Sequence, residues 1–483
     1  MPPLSAPACV SVSPFSRGGL ARLCSASRET PGCPRRTRGG TTSCAASAPA
    51  PWTPLRLPRS LSELVTTLRS AEVSRVATEP QELAYVAYTA ARSAFFTATA
   101  LATAAATGGA STVAERMERQ GLRASEGQGV SAEGLARVLE SQAELYRRDL
   151  DNIRQGLYRA PYDMHPSHRQ WSPGFVADKA RRLLRSSREI MQRRTKPEAS
   201  TELRRTSTDA AAAEPGAGTL VAGAFAYPDT FLQNFHWQSD GWMSVRSARI
   251  YEFQTETLFQ GSQDAMQRAA LAPLGRYMAG RDASSMTLLE VAAGTGRFHT
   301  FIKDNYPSMR TTLSDLSPYY LGEARENVEY FADFNARVNP QRAMQPTSFV
   351  QAAAQDLPFP DASFDVVMNV YLFHEMEATQ RAQAAAEMAR CLKPGGLLVL
   401  NDSLQRGDRP EIDAVMHLFP ANYHEPFYME YTELDMQTLF AGCGLQPVSV
   451  ELAHVSKVWA FRKPTEEEVM TDVVGEAMAA MDD

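Results

Sequence analysis

Cysteine is scarce in this chain, and the few present are badly placed for a framework. There are six, and four of them (Cys9, Cys24, Cys33 and Cys44) fall within the first fifty residues. Only Cys391 and Cys443 remain beyond that point. A disulfide scaffold is therefore excluded, and no His, Cys, Asp or Glu group has metal-ligand spacing, so no metal site is expected. Long apolar runs are lacking too. The extended uncharged stretch SAFFTATALATAAATGGASTVA, residues 93–114, is rich in Ala and Thr and broken by Gly108-Gly109. It is less apolar than the roughly 20-residue span a membrane helix needs, and reads as a packed helix followed by a loop; no transmembrane segment is expected.

Acids are nearly absent from residues 1–50, which hold six arginines and a single acid, Glu29, among many Ser, Thr, Ala and Pro. This is the composition of an organellar transit peptide. The Ser/Pro content and the lack of an amphipathic Arg helix favour the chloroplast, with the mitochondrion as the alternative. The whole chain carries −6 and this segment +5, which leaves −11 for the rest. An acidic body argues against broad electrostatic binding of nucleic acid.

Residues 60–195 read as a helical N-terminal region. Leu135, Val138, Leu139, Leu145, Tyr146, Leu150, Ile153 and Leu157 recur at three- and four-residue steps, giving an amphipathic helix that ends near Gly156. A basic helix is expected over residues 173–194, carrying Lys179, Arg181, Arg182, Arg185, Arg188, Arg193 and Arg194. Such a run is usually a solvated face, and it leaves open a peripheral contact with an anionic membrane surface. Residues 196–222 are small and polar without periodicity, as in a linker. The domain proper is expected over 223–464, with an acidic tail over 465–483. The sequence sets no oligomeric state.

After residue 222 the pattern alternates between strand and helix. Strands are expected over residues 287–292, 310–314, 347–351, 364–370, 397–401, 446–452 and 455–462. Helical stretches between the first five indicate a parallel, doubly wound α/β sheet. The last two follow each other almost directly, so they must be antiparallel, because parallel neighbours need a long crossover.

The first of these strands runs into LLEVAAGTGRFHTF, residues 288–301. A dinucleotide turn wants G-x-G-x-x-G; here Gly294-Thr295-Gly296 is followed by Arg297, Phe298 and His299. An acid, Glu290, precedes the turn instead. An acid repels a pyrophosphate and suits a cationic ligand such as S-adenosylmethionine. Asp315, at the end of the second strand in LSDLS, can accept ribose hydroxyls. Asp356 in QDLPFPDASFD, after the third, is placed for an adenine amino group.

With these pieces in order, residues 286–463 resemble a class I S-adenosylmethionine-dependent methyltransferase. The likeness is to the small-molecule group around the ubiquinone/menaquinone C-methyltransferases, and rests on LLEVAAGTGR, LSDLS, QDLPFPDASFDVVMNVYLFHE and ARCLKPGGLLVLNDS. The resemblance implies a Rossmann-like seven-stranded sheet with the last strand antiparallel. It also implies cofactor contacts at Glu290, Ala292, Gly294, Thr295, Gly296, Asp315, Leu316, Asp356, Leu357 and Asn369. The family usually has Gly where this chain has Ala292.

Methyl transfer is a direct displacement that depends mainly on alignment, and a base is needed only if the acceptor must lose a proton. His374, just past the fourth strand, is the candidate base. The acceptor wall is expected from two aromatic-rich insertions, residues 234–254 and 419–435, with Trp237, Tyr371, Tyr423, His424 and Tyr428 as substrate residues. After the fourth strand stands Asn369-Val370-Tyr371-Leu372, without the Pro-Pro signature of amino methylators and without a nucleophilic Cys. A small organic acceptor (a quinone, phenol, carboxylate or pigment precursor) fits best. The competing readings are a non-catalytic binding or assembly protein on the same fold, and a protein methyltransferase that docks its substrate on the helical region.

Overall fold

The computed structural model describes residues 79–107, 132–193, 219–221, 227–228, 231, 241–410, 412–413, 416, 419–420 and 425–471. Its centre is one sheet of β1 (Thr219–Val221), β2 (Thr287–Val291), β3 (Arg310–Asp315), β4 (Thr347–Gln351), β5 (Phe364–Val370), β6 (Leu392–Ser403), β7 (Gln446–Ala453) and β8 (Ser456–Arg462), in the order β1-β4-β3-β2-β5-β6-β8-β7. All seven strands expected from the sequence form. β1 to β6 pair in parallel, while β8 runs antiparallel between β6 and β7. Only two residues, His454 and Val455, join β7 to β8, which permits nothing but a hairpin.

The eighth strand, β1, lies at the end of the segment expected to be linker. Thr219 to Val221 pair in parallel with Phe349 to Gln351 of β4. Three residues are too few for a two-residue period to register in the sequence, and what recruits them is the otherwise open edge of β4.

The central strands are buried on both faces, which is why they read as near-continuous apolar runs. Alternation along each strand then splits the core in two. Leu289, Val291, Val367 and Leu398 face Met388 of α9 (Ala378–Cys391) and Phe440 of α11 (Met436–Ala441). Leu288, Val366, Met368 and Val399 face Leu274 of α6 (Leu271–Met278) and Phe301 and Ile302 of α7 (Arg297–Asn305).

The N-terminal helices α1 (Pro80–Thr107), α2 (Ala132–Arg154) and α3 (Pro173–Arg193) belong to the same body as the sheet. Leu145 and Tyr158 join the core cluster of Leu288 and Phe301. Phe96 of α1, Leu183 of α3, and Ile250 and Phe253 of α4 (Val245–Leu258) form another cluster. Asp149 of α2 is buried against Arg268 of α5 (Gln263–Arg268) and accepts from the hydroxyls of Tyr85 and Tyr158. At Gly275 of α6 a Cβ would stand 2.2 Å from the Leu157 carbonyl oxygen, so the loop after α2 lies directly on that helix. Part of the basic run on α3 is used internally: Lys179 donates to the Arg249 carbonyl, and Arg182 pairs with Asp178 at 2.6 Å. Among the described residues, no helix is long and apolar enough to cross a membrane.

Candidate functional site

A cleft opens at the carboxyl ends of β2, β3 and β5, enclosing about 1230 Å³ of space, part of it open to solvent. Its floor is the turn between β2 and α7. Ala292, Gly294 and Gly296 all take positive φ, at +53°, +57° and +71°. At Gly294 an added Cβ would meet nothing within 4 Å, so what the glycine provides there is backbone conformation. At Gly296 a Cβ would meet that of Ala324 at 3.0 Å, on α8 (Pro318–Val338); here the missing side chain lets two helices close together. Ala292 adopts the left-handed region without being glycine, the residue that takes this conformation at least cost.

Asp315 is held from two sides. Its carboxylate accepts from the Gly294 N–H and from the Ser317 N–H, each at 2.8 Å. Burial pushes its pKa up to about 6, against the lowering effect of these N–H groups. A carboxylate offers about four lone-pair sites, so capacity remains towards the cleft that Asp315 lines. Glu290 also lines the cleft, yet its carboxyl is turned to His299, whose Nδ1 lies 2.9 Å away. His299 Nε2 is in turn 3.0 Å from the Thr311 hydroxyl. Burial, then the nearby Asp315 charge, raises the Glu290 pKa well above normal; burial, then Lys303, holds that of His299 well below. Glu290 is thus engaged with His299, and Asp315 is the acid at this end of the cleft that backbone N–H groups hold.

The other residues singled out in the sequence divide clearly. Thr295 and Leu316 line the cleft, the former donating to Glu252 at 3.0 Å. Asn369 is buried beneath it, its amide donating to the Val291 carbonyl at 2.7 Å. Leu357 is buried in the core, and Asp356 stands exposed, while Ala354 and Gln355 line the wall nearby. Tyr371, at φ +58°, lines both the cleft and a second chamber. That chamber is walled by Leu258, Phe259, Met416, Phe419, Tyr428 and Val455, and includes His374. Trp237, Tyr423 and His424 lie outside the described residues.

His374 is buried, with Nδ1 2.6 Å from an oxygen of Asp402. Although burial alone would lower its pKa, Asp402 and Glu375 raise it well above normal. Asp402, in LVLNDS at the end of β6, escaped the sequence reading; its signal is an acid ending a core strand.

The cleft's second wall was also hidden. Arg297, the first residue of α7, pairs with Asp163 and Asp264, each at 2.6 Å, and receives support from the Tyr162 hydroxyl. Arg92 of α1 reaches the same Asp264 at 2.8 Å and Glu256 at 2.5 Å. Burial raises the Asp264 pKa, but Arg297 and Arg92 more than reverse it and hold it below the usual range. Glu256, where burial outweighs Arg92, is pushed up to about 7. Tyr251, Glu252 and Tyr320 also line the cleft, as do Trp242 and Phe231, whose rings stack at 4.9 Å.

Residues 289–400 match the methyltransferase domain family. That stretch of the chain is thus similar to a methyltransferase domain. A demethylmenaquinone methyltransferase of Deinococcus radiodurans is 33% identical over 158 residues, 33% of this chain and 57% of that protein. A fatty-acid O-methyltransferase of Mycolicibacterium smegmatis is 44% identical over 66 residues, 13% of this chain and 22% of that protein. The chain thus spans little more than half the length of the first relative, and less of the second. A putative methyltransferase of Bacillus halodurans, solved by crystallography, is 16% identical, with 40% of this chain and 99% of that one covered and a TM-score of 0.30.

Proposed function

We propose that this protein transfers a methyl group from S-adenosylmethionine to a small organic acceptor with an apolar body, such as a quinone, phenol, carboxylate or pigment-like compound. The observation that carries the reading is the union of the Asp315 cleft with a second, largely apolar chamber at Tyr371. The residues present fit the cofactor: an ionisable carboxylate with spare acceptor capacity, and a turn whose Gly294 leaves room above it. When bound, S-adenosylmethionine supplies an electrophilic methyl group.

The chain's own work is alignment and exclusion of water. Asp315 accepts hydroxyl protons in hydrogen bonds, and the turn from Ala292 to Gly296 lets the backbone approach closely. The stacked rings of Trp242 and Phe231 add apolar lining, and Tyr371 forms the shared wall through which an acceptor would meet the methyl group. Holding the reacting atoms in line in this way can supply up to roughly 7–11 kcal/mol of the barrier. The names of the two relatives, one acting on a menaquinone precursor and one on fatty acids, support an apolar small-molecule acceptor. We also propose a plastid location, supported by the Arg-rich, acid-poor composition of residues 1–50.

Calorimetric titration with S-adenosylmethionine and S-adenosylhomocysteine tests the cofactor. Micromolar binding that Asp315→Ala abolishes is expected; a folded chain that binds neither would sink the proposal. Import of the full chain into isolated chloroplasts, with shortening near residue 50, tests the location; a chain that stays outside, unshortened, would refute it.

A further inference from the structure

Three ligand-type side chains converge where the second chamber approaches the cleft. His374, Glu375 and Glu425 each offer one ligand atom, and these atoms lie within 4.8 Å of one another. His374 and Glu425 are buried. The first two stand in the turn that follows β5, and Glu425 in the loop before α10 (Tyr428–Thr432). No sequence spacing could reveal the group, because the fold brings the third member in from a distant loop.

A separate feature fixes the imidazole. Asp402 is fully buried and is itself pinned by the N–H groups of Leu372, Phe373 and Ser403, at 3.1, 2.7 and 2.7 Å. Its Oδ1 takes His374 Nδ1 at 2.6 Å. The ring's other nitrogen, Nε2, then points at the glutamates and is 3.5 Å from Glu375 Oε1. A carboxylate that orients a histidine so that its second nitrogen faces other ligands is the usual outer support of a metal-binding imidazole. The buried guanidinium of Arg381 on α9 is engaged elsewhere, with the carbonyls of Phe373 and Phe427 at 2.8 Å each and with Glu430 at 3.5 Å.

We propose that His374 Nε2, Glu375 and Glu425 form a site for one divalent transition-metal cation. One imidazole nitrogen with two carboxylates suits Mn²⁺, Fe²⁺ or Zn²⁺, whereas Mg²⁺ and Ca²⁺ favour all-oxygen sets. Ligands about 2.1 Å from a shared ion are at most about 4.2 Å apart, so atoms within 4.8 Å of one another need to close by no more than about 0.6 Å to share one. The site stands on these residues alone, whether or not the neighbouring cleft transfers methyl groups.

The full chain, stripped with a chelator, is titrated with Mn²⁺ and followed by electron paramagnetic resonance, with Zn²⁺ as competitor. One Mn²⁺ per chain is expected, showing hyperfine coupling to a directly bound imidazole nitrogen. Glu425→Gln should weaken binding about tenfold or more, and Asp402→Asn about 10–100-fold. Glu430→Gln, at an exposed acid outside the group that pairs with Arg381, should leave it unchanged. Failure of the folded chain to bind Mn²⁺ stoichiometrically overturns the proposal. So does bound Mn²⁺ without nitrogen coupling, or an affinity that Glu425→Gln does not move. The nitrogen signal is read on the unaltered chain, so it decides even where a variant does not fold.

Discussion

Ala292 occupies a backbone conformation that costs a non-glycine residue roughly 1–2 kcal/mol. Glycine would relieve this but would also loosen the unfolded chain by about 0.4–1 kcal/mol. Ala292→Gly should therefore stabilise the protein by up to about 1 kcal/mol, measured by denaturant unfolding; a loss of stability would contradict the strain. Asp315 gives a pH prediction. Its carboxyl, pushed up to about 6 by burial, must be ionised to accept ribose hydroxyls. Cofactor affinity should be full near pH 7.5 and fall about tenfold per unit well below pH 6; calorimetry that finds affinity flat from pH 7.5 to 5 would rule this out. The effect on folding has the opposite sign. A carboxyl with a raised native pKa binds its proton better when folded, so its contribution is present below about pH 4 and is lost as pH rises through about 6. Glu290 and Asp315 are legible in the sequence because strand ends and turns fix where their backbones lie. The partner of Glu290 is not, because His299 reaches it only once α7 folds back over β2.

Helix α7 begins with Arg297, a cation at the positive end of a helix dipole, which is unfavourable on its own. Asp163 and Asp264 offset it from 134 and 33 residues away. Those separations are why the sequence announces the helix but not its buried network. Removing one partner strands the other charge, at a cost of about 3–5 kcal/mol. Asp163→Ala should lower stability by about that amount in chemical denaturation, and a change under about 1 kcal/mol would show that Arg297 finds other compensation. Gly275→Ala drives a methyl group into the Leu157 carbonyl and should cost at least about 1–3 kcal/mol through the same α2–α6 contact. A neutral result there would mean that the two elements can separate freely. The strands are far more legible, since seven read from apolar runs and turn residues all form. The exception, β1, has no pattern of its own and exists only because β4 leaves an edge.

At the scale of the whole chain, the helical region and the sheet domain share one core, through Leu145, Tyr158 and the Asp149–Arg268 pair. The sequence shows two compositions and so suggests two modules; it holds no sign that Asp149, Asp163 and Arg92 pair with charges of the second. Residues 223–464 expressed alone should therefore fail to unfold cooperatively or to bind S-adenosylmethionine, while residues 51–483 should melt in a single transition. Independent folding and cofactor binding by the shorter piece would refute that unity. The shared wall at Tyr371 carries a practical consequence for inhibitor design. A nucleoside fragment in the Asp315 cleft and an aliphatic fragment beside Met416 and Val455 could be tethered past that tyrosine. The second fragment would then bind at an effective concentration in the millimolar range, and the joined molecule could exceed either half by about 10²–10⁴ in affinity without any new contact.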